Sequence, residues 1–293
     1  MIIDKNRDTI TLPYRQVDAF TEIPYQGNPA AVCLVDSPLS SNVMQMIASE
    51  LNLSETAFIE APDDSGARHL RWFTPTKEVP LCGHATLASA HVLRSIGHTP
   101  PYYFKSASGP LTVHSEPDES LRLDFPSDEC KVVEPRIDVL EALGLPEVVA
   151  CLSGNLNYIV QVANPDIVDG ATPDLSRLGK INLGENIIVL SITAPGRIGY
   201  EETAGAVVTG PPDVVSRVFA PWVGVNEDPV TGVAHTALGP YWANVLGKKE
   251  FTARQGGNRR GQLRVRVEIG RTHLIGHAVT VAEGDLVLPF IGI

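Results

Sequence analysis

The sequence predicts an α+β fold of two similar halves, each a mostly antiparallel sheet around one central helix. Two nearly apolar runs that open with a glycine, 83–96 and 232–246, are typical of buried helices. Short alternating or apolar segments bounded by Gly, Pro, Asn and Asp indicate strands and hairpins rather than repeated β-α units. Finally, three short matches recur in the same order in both halves, which indicates a duplicated unit.

The repeat aligns Gly83 with Gly232, and it also aligns two flanking segments of each half. Upstream, Asn52-Leu-Ser-Glu55 matches Asn182-Leu-Gly-Glu185, and downstream Gly109-Pro-Leu matches Gly261-Gln-Leu. A repeat of half the chain is too long for a solenoid and predicts two domains. We place them at 1–127 and 128–293, with the last strand able to pair with the N-terminal half.

Bulk properties exclude several classes of function. The chain has 293 residues and a formal net charge of −11, which disfavours nucleic acids and anionic membrane surfaces as partners. No apolar run has the length of a membrane span. The four cysteines are scattered without a C-x-x-C pair, which is typical of reduced thiols in a cytoplasmic protein rather than of disulfides or structural zinc.

The first half contains turn and cap signals that divide it into elements. Gly27-Asn-Pro29 is a tight turn between two strands, and Ser40 or Ser41 caps a helix that ends near Leu51. Asp63-Asp-Ser-Gly66 is a second turn, followed by a run that alternates polar and apolar residues. The predicted strands are 15–20, 30–35, 54–59, 69–73, 102–105, 111–114 and 121–125.

The second half restarts the pattern after a linker region over 128–149 that holds a short helix at 137–143. A helical turn is predicted at 174–178. The segment 255–261 is cationic and Gly-rich but lacks the P-loop order, so it is interpreted as a turn or rim. The predicted strands are 158–162, 187–192, 198–203, 207 onward, 264–269, 272–281 and 286–290.

The two glycine-opened helix starts are the main candidates for binding. The N–H groups of a helix start favour an anion, and Gly83 and Gly232 would let backbone approach closely. The alternative is that both glycines are only tight turns packed on a sheet. If the two starts meet at the seam between halves, a ligand would lie between two positive helix ends.

Several side chains near these starts could carry chemistry. Glu55 could be a general acid/base or a solvated loop carboxylate. Cys82 stands at a helix N-terminus, which favours a thiolate, but it could equally be a small buried hydrophobe. Asp228 precedes Pro229 and could be a turn residue. His84 and His235 together with Cys82 suggest a metal site, which the absence of an H-x-x-x-H motif or a carboxylate triad disfavours.

Six ordered motifs resemble the phenazine-biosynthesis isomerase (PhzF-like) family from Tyr14 to the C-terminus. The motifs are Val17-Asp-Ala-Phe-Thr21, Gly27-Asn-Pro-Ala-Ala-Val32, Leu53-Ser-Glu-Thr56, Arg71-Trp-Phe-Thr-Pro75, Leu81-Cys-Gly-His-Ala-Thr86 and Glu227-Asp-Pro-Val-Thr-Gly232. The resemblance implies a diaminopimelate epimerase-like fold with two pseudo-symmetric curled sheets, no cofactor, no metal and a homodimer. The Cys-Gly-His form is similar to the subgroup that includes vertebrate phenazine-biosynthesis-like domain proteins.

The resemblance also implies roles for individual residues. Glu55 takes the position of the family's acid/base, and His84 and Asp228 the positions of residues that line the site. Cys82 stands where the epimerases carry their first catalytic thiol. The family places a serine after the second helix glycine, where this sequence has Val233, which weakens one expected ligand contact.

We therefore expect a cofactor-independent isomerase or epimerase that moves a proton on a small carboxylate-bearing metabolite. The expected catalytic residues are Glu55, His84, Asp228 and Cys82. The alternative is a non-catalytic binding or regulatory protein that kept the cleft, which Val233 favours; a metal hydrolase using His84 and His235 is a third candidate. The expected substrate-binding residues are Asn28, Ser54, Gly83, Ala85, Thr231, Gly232 and Val233.

Overall fold

The computed structural model describes residues 2–4, 9–37, 39–197 and 211–289. The chain divides into two units, one of Met1–Asp124 with Gly276–Ile293 and one of Phe125–Ile275. The C-terminal segment is thus part of the first unit. The strand predicted at 198–203, and the first residues of the one predicted from 207, lie outside the described residues. Within the described part of the chain, no helix combines the length and apolar character that crossing a bilayer requires.

In the part that the structure describes, the first unit is built from strands and two helices of ordinary length. Helix α1 spans Ser41–Leu51 and helix α2 spans Gly83–Ser95. Its strands up to the linker are β1 (Ile2–Asp4), β2 (Thr9–Ala19), β3 (Asn28–Val35), β4 (Glu55–Pro62), β5 (Arg68–Phe73), β6 (Glu78–Val79), β7 (Tyr102–Ser106), β8 (Gly109–Ser115) and β9 (Leu121–Pro126).

Among its described residues, the second unit has one long helix, α6 (Gly232–Leu246), and three short ones, α3 (Ile137–Leu143), α4 (Pro165–Gly170) and α5 (Leu175–Leu178). A 3-10 turn covers Pro221–Val223. The last strand of the chain, β19 (Ala278–Pro289), returns to the first unit and pairs with β2. The strands of the second unit are β10 (Lys131–Val133), β11 (Ala150–Ser153), β12 (Asn157–Gln161), β13 (Val189–Pro195), β14 (Val214–Ala220), β15 (Val225–Asp228), β16 (Glu250–Gln255), β17 (Gly261–Glu268) and β18 (Arg271–Gly276).

Both units repeat one topology. In the first, β2 and β3 form an antiparallel pair, β4 joins β3 in parallel, β5 is antiparallel to β4, and β7 is parallel to β5. In the second, β11, β12, β13, β14 and β16 follow in the same order with the same directions. This α+β architecture confirms the predicted fold class, and most strand pairs in it are antiparallel.

Each long helix is buried nearly all round, as its composition predicts. The residues Ala85, Ala88 and Ala90 of α2 are completely buried, so their small side chains let β2, β3 and β4 approach the helix. In α6, Gly239 has no room for a side chain, because a Cβ there would lie 2.8 Å from a methyl carbon of Thr272. Packing of this kind, rather than intrinsic propensity, stabilises the two helices.

Some predicted boundaries are wrong. The strand predicted at 272–281 is interrupted at His277, which separates β18 from β19, and the strand predicted at 286–290 belongs to β19. The prediction failed because both pieces are β-rich, so the sequence carries no signal for the interruption. Gln255 was interpreted as part of a turn or rim but ends β16 and is completely buried.

Candidate functional site

Three sequence-distant segments of the first unit meet at the start of α2. Asn28 opens β3, Glu55 opens β4, and the two strands run parallel with Ala30 opposite Glu55. Helix α1 is capped by Asn52, whose left-handed backbone (φ 49°) turns the chain toward β4. Cys82 then precedes α2 as its N-cap residue. The fold therefore brings Asn28, Glu55 and Cys82 to the same end of one helix.

The imidazole of His84 lies at the centre of this group. Its Nε2 is 3.2 Å from Oε2 of Glu55, and its Nδ1 is 3.1 Å from Nδ2 of Asn28 and 3.5 Å from Sγ of Cys82. The contact with Glu55 lacks the angular geometry of a hydrogen bond. Catalytic contacts of unliganded sites are commonly poorly aligned in this way and tighten on binding. We call Asn28, Glu55, Cys82 and His84 the α2 cluster.

The α2 cluster is shielded from water but not sealed. His84 is 4% exposed and Cys82 is 7% exposed, whereas the side chain of Glu55 retains 15%. Burial lowers the pKa of His84 to about 3, because a charged imidazole would lose its hydration. The ring is therefore neutral at physiological pH, and it can orient the Glu55 carboxylate without cancelling its charge.

The start of α2 is also a potential anion-binding site. Cys82 makes no side-chain capping hydrogen bond, so no side chain of the N-cap satisfies the first-turn N–H groups, which include those of Gly83 and Ala85. The neighbouring Ser54 is half-buried beside Glu55. A carboxylate placed here would meet backbone donors and the positive end of the helix within reach of an acid/base group.

The start of α6, in the second unit, carries a different network. Thr231 donates its hydroxyl to Oδ2 of Asp228 over 2.5 Å. The completely buried Gln255 accepts from the Thr231 N–H (3.0 Å) and donates to Thr231 Oγ1 (2.9 Å) and to the Asp228 carbonyl (2.8 Å). Because the amide of Gln255 donates to the hydroxyl, the Thr231 proton is directed at the carboxylate. Asp228 and Thr231 are thus held in one fixed arrangement.

An ion pair fixes the strand that carries Asp228. Arg217 of β14 forms a two-point contact with Glu227 of β15, at 2.7 and 2.8 Å, and also donates to the Ala171 carbonyl at 2.6 Å. Paired charges of this kind are well ordered because both guanidinium edges have partners. Gly257 packs against the pair, and a Cβ there would lie 2.8 Å from Glu227 Oε1.

The remaining predicted residues of the second helix start have structural contacts. His235 is buried, with Nδ1 2.9 Å from the Thr231 carbonyl, and burial lowers its pKa to about 4. The carbonyl of Val233 accepts from Asn157 and Thr236, while Gly232 is buried as the first residue of α6. His235 and His84 therefore belong to two separate local networks, one in each unit.

One sequence match does not carry over to the structure. Glu185 was aligned with Glu55, but Glu55 opens β4 whereas Glu185 lies exposed in the loop before β13, which begins at Val189. The local sequence match therefore does not reflect equivalent strand positions. Sequence reasoning also missed Gln255, because nothing in its local sequence indicates that its amide reaches Thr231.

Comparisons with known proteins identify the family. Residues 17–284 match the family described as phenazine biosynthesis-like protein. The chain belongs to this PhzF family. It is 40% identical to an uncharacterized isomerase of Halalkalibacterium halodurans, over 95% of the chain and 100% of that protein, and 37% identical to the human phenazine biosynthesis-like domain-containing protein, over 94% and 99%.

Solved structures agree with this assignment. A PhzF family protein of Enterococcus faecalis has a TM-score of 0.85 and 36% identity over 94% of the chain and 99% of its own. A hydroxyproline epimerase of Agrobacterium vitis, at 11% identity and a TM-score of 0.53 over 95% and 93%, shares the fold alone. The predicted PhzF family and the predicted enzyme class, an isomerase, are both confirmed at this level.

Proposed function

We propose that the protein is a cofactor-independent isomerase or epimerase in which Glu55 moves a proton on a small carboxylate-bearing metabolite. The observation that carries the proposal is the α2 cluster, where a carboxylate, a thiol and a neutral imidazole converge on a helix start that the N-cap side chain leaves uncapped. No group in this mechanism requires a bound cofactor.

The proposed roles follow from what each group can do. The Glu55 carboxylate takes a proton from the substrate carbon and returns it at another position or face. The α2 N–H groups at Gly83 and Ala85 bind the substrate carboxylate and stabilise the charge that develops as the carbon loses its proton. Cys82 shares the proton transfer, and His84 holds Glu55 in place.

The start of α6 is proposed to supply the remaining residues of the site. Asp228 completes the acid/base set, and Thr231, Gly232 and Val233 contribute to substrate binding together with Asn28 and Ser54. This arrangement, the cytoplasmic location and a homodimer remain predictions from the sequence and the resemblance. Val233 presents an aliphatic side chain where the family places a hydroxyl, so we expect a substrate that does not need that hydrogen bond.

The test is the exchange of substrate hydrogen with deuterated water. A panel of 2-amino and 2-hydroxy carboxylic acids is incubated with the enzyme in ²H₂O and analysed by mass spectrometry and proton NMR. Glu55→Gln should abolish any exchange that the wild type catalyses, while Glu185→Gln, which changes an exposed glutamate in a loop, should leave it unchanged. Full exchange by Glu55→Gln would contradict the assignment.

The second candidate is a binding or regulatory protein without catalysis, which the loss of a hydroxyl at Val233 favours. It predicts that members of the same panel bind, as measured by calorimetry, while none exchanges hydrogen with solvent. The same experiment therefore separates the two candidates.

A further inference from the structure

The α2 cluster combines the three side-chain types that bind zinc in proteins. One ligand atom from each of Glu55, Cys82 and His84 lies within 4.8 Å of those of the other two. In a tetrahedral zinc site with bonds of about 2.0–2.3 Å, neighbouring ligand atoms are roughly 3.3–3.8 Å apart. The 3.2 Å between His84 Nε2 and Glu55 Oε2 is already of this size. The thiol of Cys82 lies 3.5 Å from the other ring nitrogen, Nδ1, so the side chains must adjust before one ion contacts all three residues.

A second observation points independently to a ligand. Nε2 of His84 is a buried ring nitrogen without a hydrogen bond, in a side chain that is 4% exposed, and it is directed toward the Glu55 carboxylate. A buried polar atom left in this state costs free energy unless another group satisfies it. A cation bound to Nε2 beside the carboxylate would satisfy this nitrogen.

The donor set selects the kind of cation. Thiolate and imidazole favour zinc and similar soft divalent ions, whereas magnesium and calcium require sets of oxygen ligands. Three protein ligands leave a fourth tetrahedral position for water, which is the pattern of an open site rather than a closed structural one.

We propose that Glu55, Cys82 and His84 form a binding site for a soft divalent cation of the zinc type, and that occupation of this site inhibits the enzyme. The cation replaces the thiol proton, which leaves to solvent as the sulfur–metal bond forms. It also coordinates the carboxylate that must accept the substrate proton. Binding of the cation rests on the α2 cluster alone; only the inhibition rests on the proposed function.

Cobalt is a suitable probe because its bond to a thiolate gives a charge-transfer absorption in the near ultraviolet. The full-length protein is treated with a chelator, desalted and titrated with Co²⁺, and Zn²⁺ affinity is then measured by competition with a chromophoric chelator. Wild type should show the thiolate band and lose it on addition of Zn²⁺. A wild-type protein without a thiolate band overturns the proposal.

Variants then assign the ligands. Cys82→Ser should remove the band and weaken Zn²⁺ binding at least about 10- to 100-fold, a range that even outer-shell changes produce. His84→Gln should weaken binding to a similar extent, which keeps the test decisive if one variant fails to fold. Cys130→Ser, which changes a half-buried thiol of the second unit, should behave like wild type. A band that survives in Cys82→Ser contradicts the assignment.

The proposed inhibition by the cation is measured separately from its binding. Hydrogen exchange by the wild type should fall as Zn²⁺ fills the site and recover after chelation, and exchange that continues at saturating Zn²⁺ overturns the inhibition. Metal binding is measured without substrate, so a protein that binds Co²⁺ but exchanges no acid in the panel counts against the proposed function and leaves the cation site supported.

Discussion

Nε2 of His84, in the first turn of α2, lies 3.2 Å from Oε2 of Glu55, the first residue of β4. The imidazole is neutral because burial lowers its pKa to about 3. A neutral ring can position the carboxylate while leaving its negative charge available to accept a proton. The position of His84 at the start of α2 therefore helps to keep Glu55 placed and basic.

Replacement of His84 tests whether its imidazole positions Glu55. His84→Gln should lower the rate of hydrogen exchange by about 100-fold or more, which is the lower end of general acid–base contributions. The loss should appear mainly in kcat, because His84 is proposed to orient Glu55 rather than to bind substrate. His69→Gln, at an exposed histidine of β5, is the matched control. Unchanged kcat in a folded His84→Gln protein would refute the positioning role.

The Gln255 network at the start of α6 makes a prediction about stability. Gln255→Ala leaves the Thr231 N–H and the Asp228 carbonyl without their buried partner, so we expect a loss of about 1–3 kcal/mol in the free energy of unfolding. Denaturant unfolding measures it, with the half-buried Gln262→Ala as control.

A double-mutant cycle separates the network from simple packing. Gln255→Ala and Thr231→Val each remove the hydrogen bond from Gln255 Nε2 to Thr231 Oγ1, so their effects should couple by about 0.5–3 kcal/mol. Strictly additive effects would show that the two side chains act independently.

Buried histidines predict the pH dependence of stability. Burial lowers the pKa of His235 to about 4 from an unfolded value of 6.5, so the unfolded chain binds the proton more readily between these values. Stability contributed by the neutral ring is therefore complete above pH 6.5 and is lost as the pH falls toward 4. Each such group contributes a slope of up to about 1.4 kcal/mol per pH unit.

His235→Gln should reduce that slope, as measured by urea unfolding at several pH values between 4 and 7. Burial also lowers the pKa of His84 to about 3 and that of His91 to about 4, so the variant should keep part of the dependence. A profile identical to that of wild type would contradict the assignment to His235.

The turn before Asn28 predicts a strong steric effect. Gly27 has a φ of +67°, and a Cβ there would lie 2.2 Å from the Ala19 carbonyl oxygen. Gly27→Ala should cost about 3 kcal/mol or more, because backbone must move. Gly66→Ala is the matched control: its φ is +80° but nothing lies within 4 Å, so about 1 kcal/mol is expected. Equal losses in thermal unfolding would exclude the steric explanation.

The sequence predicted those parts of the fold that depend on local patterns. Helix α3 was predicted at its observed bounds, and the glycine-opened apolar runs predicted α2 and α6 to within a residue or two. Cys82 and His84 were grouped correctly because only Gly83 separates them along the chain. The grouping of Glu55 with them required the family resemblance, since no local signal connects β4 with α2.

The errors concern relationships that long-range pairing decides. Glu185 shares a local sequence with Glu55, yet the pairing of β12 with β13 leaves it outside the sheet. Gln255 lies next to a glycine-rich segment but forms the last pair of β16 with β17, opposite Gly261. Strand register depends on the partner strand, so a single segment does not reveal which of its side chains face inward.

The return of β19 to the first unit determines the order in which the chain can fold during synthesis. Strand β19 pairs with β2 from Ala19 to Thr9, yet the ribosome makes it after every residue of the second unit. The second unit is continuous in sequence and can form as soon as it emerges. The earlier-made strand β2 must wait with one edge open, so premature release of the nascent polypeptide would leave an exposed β edge that can pair with other molecules.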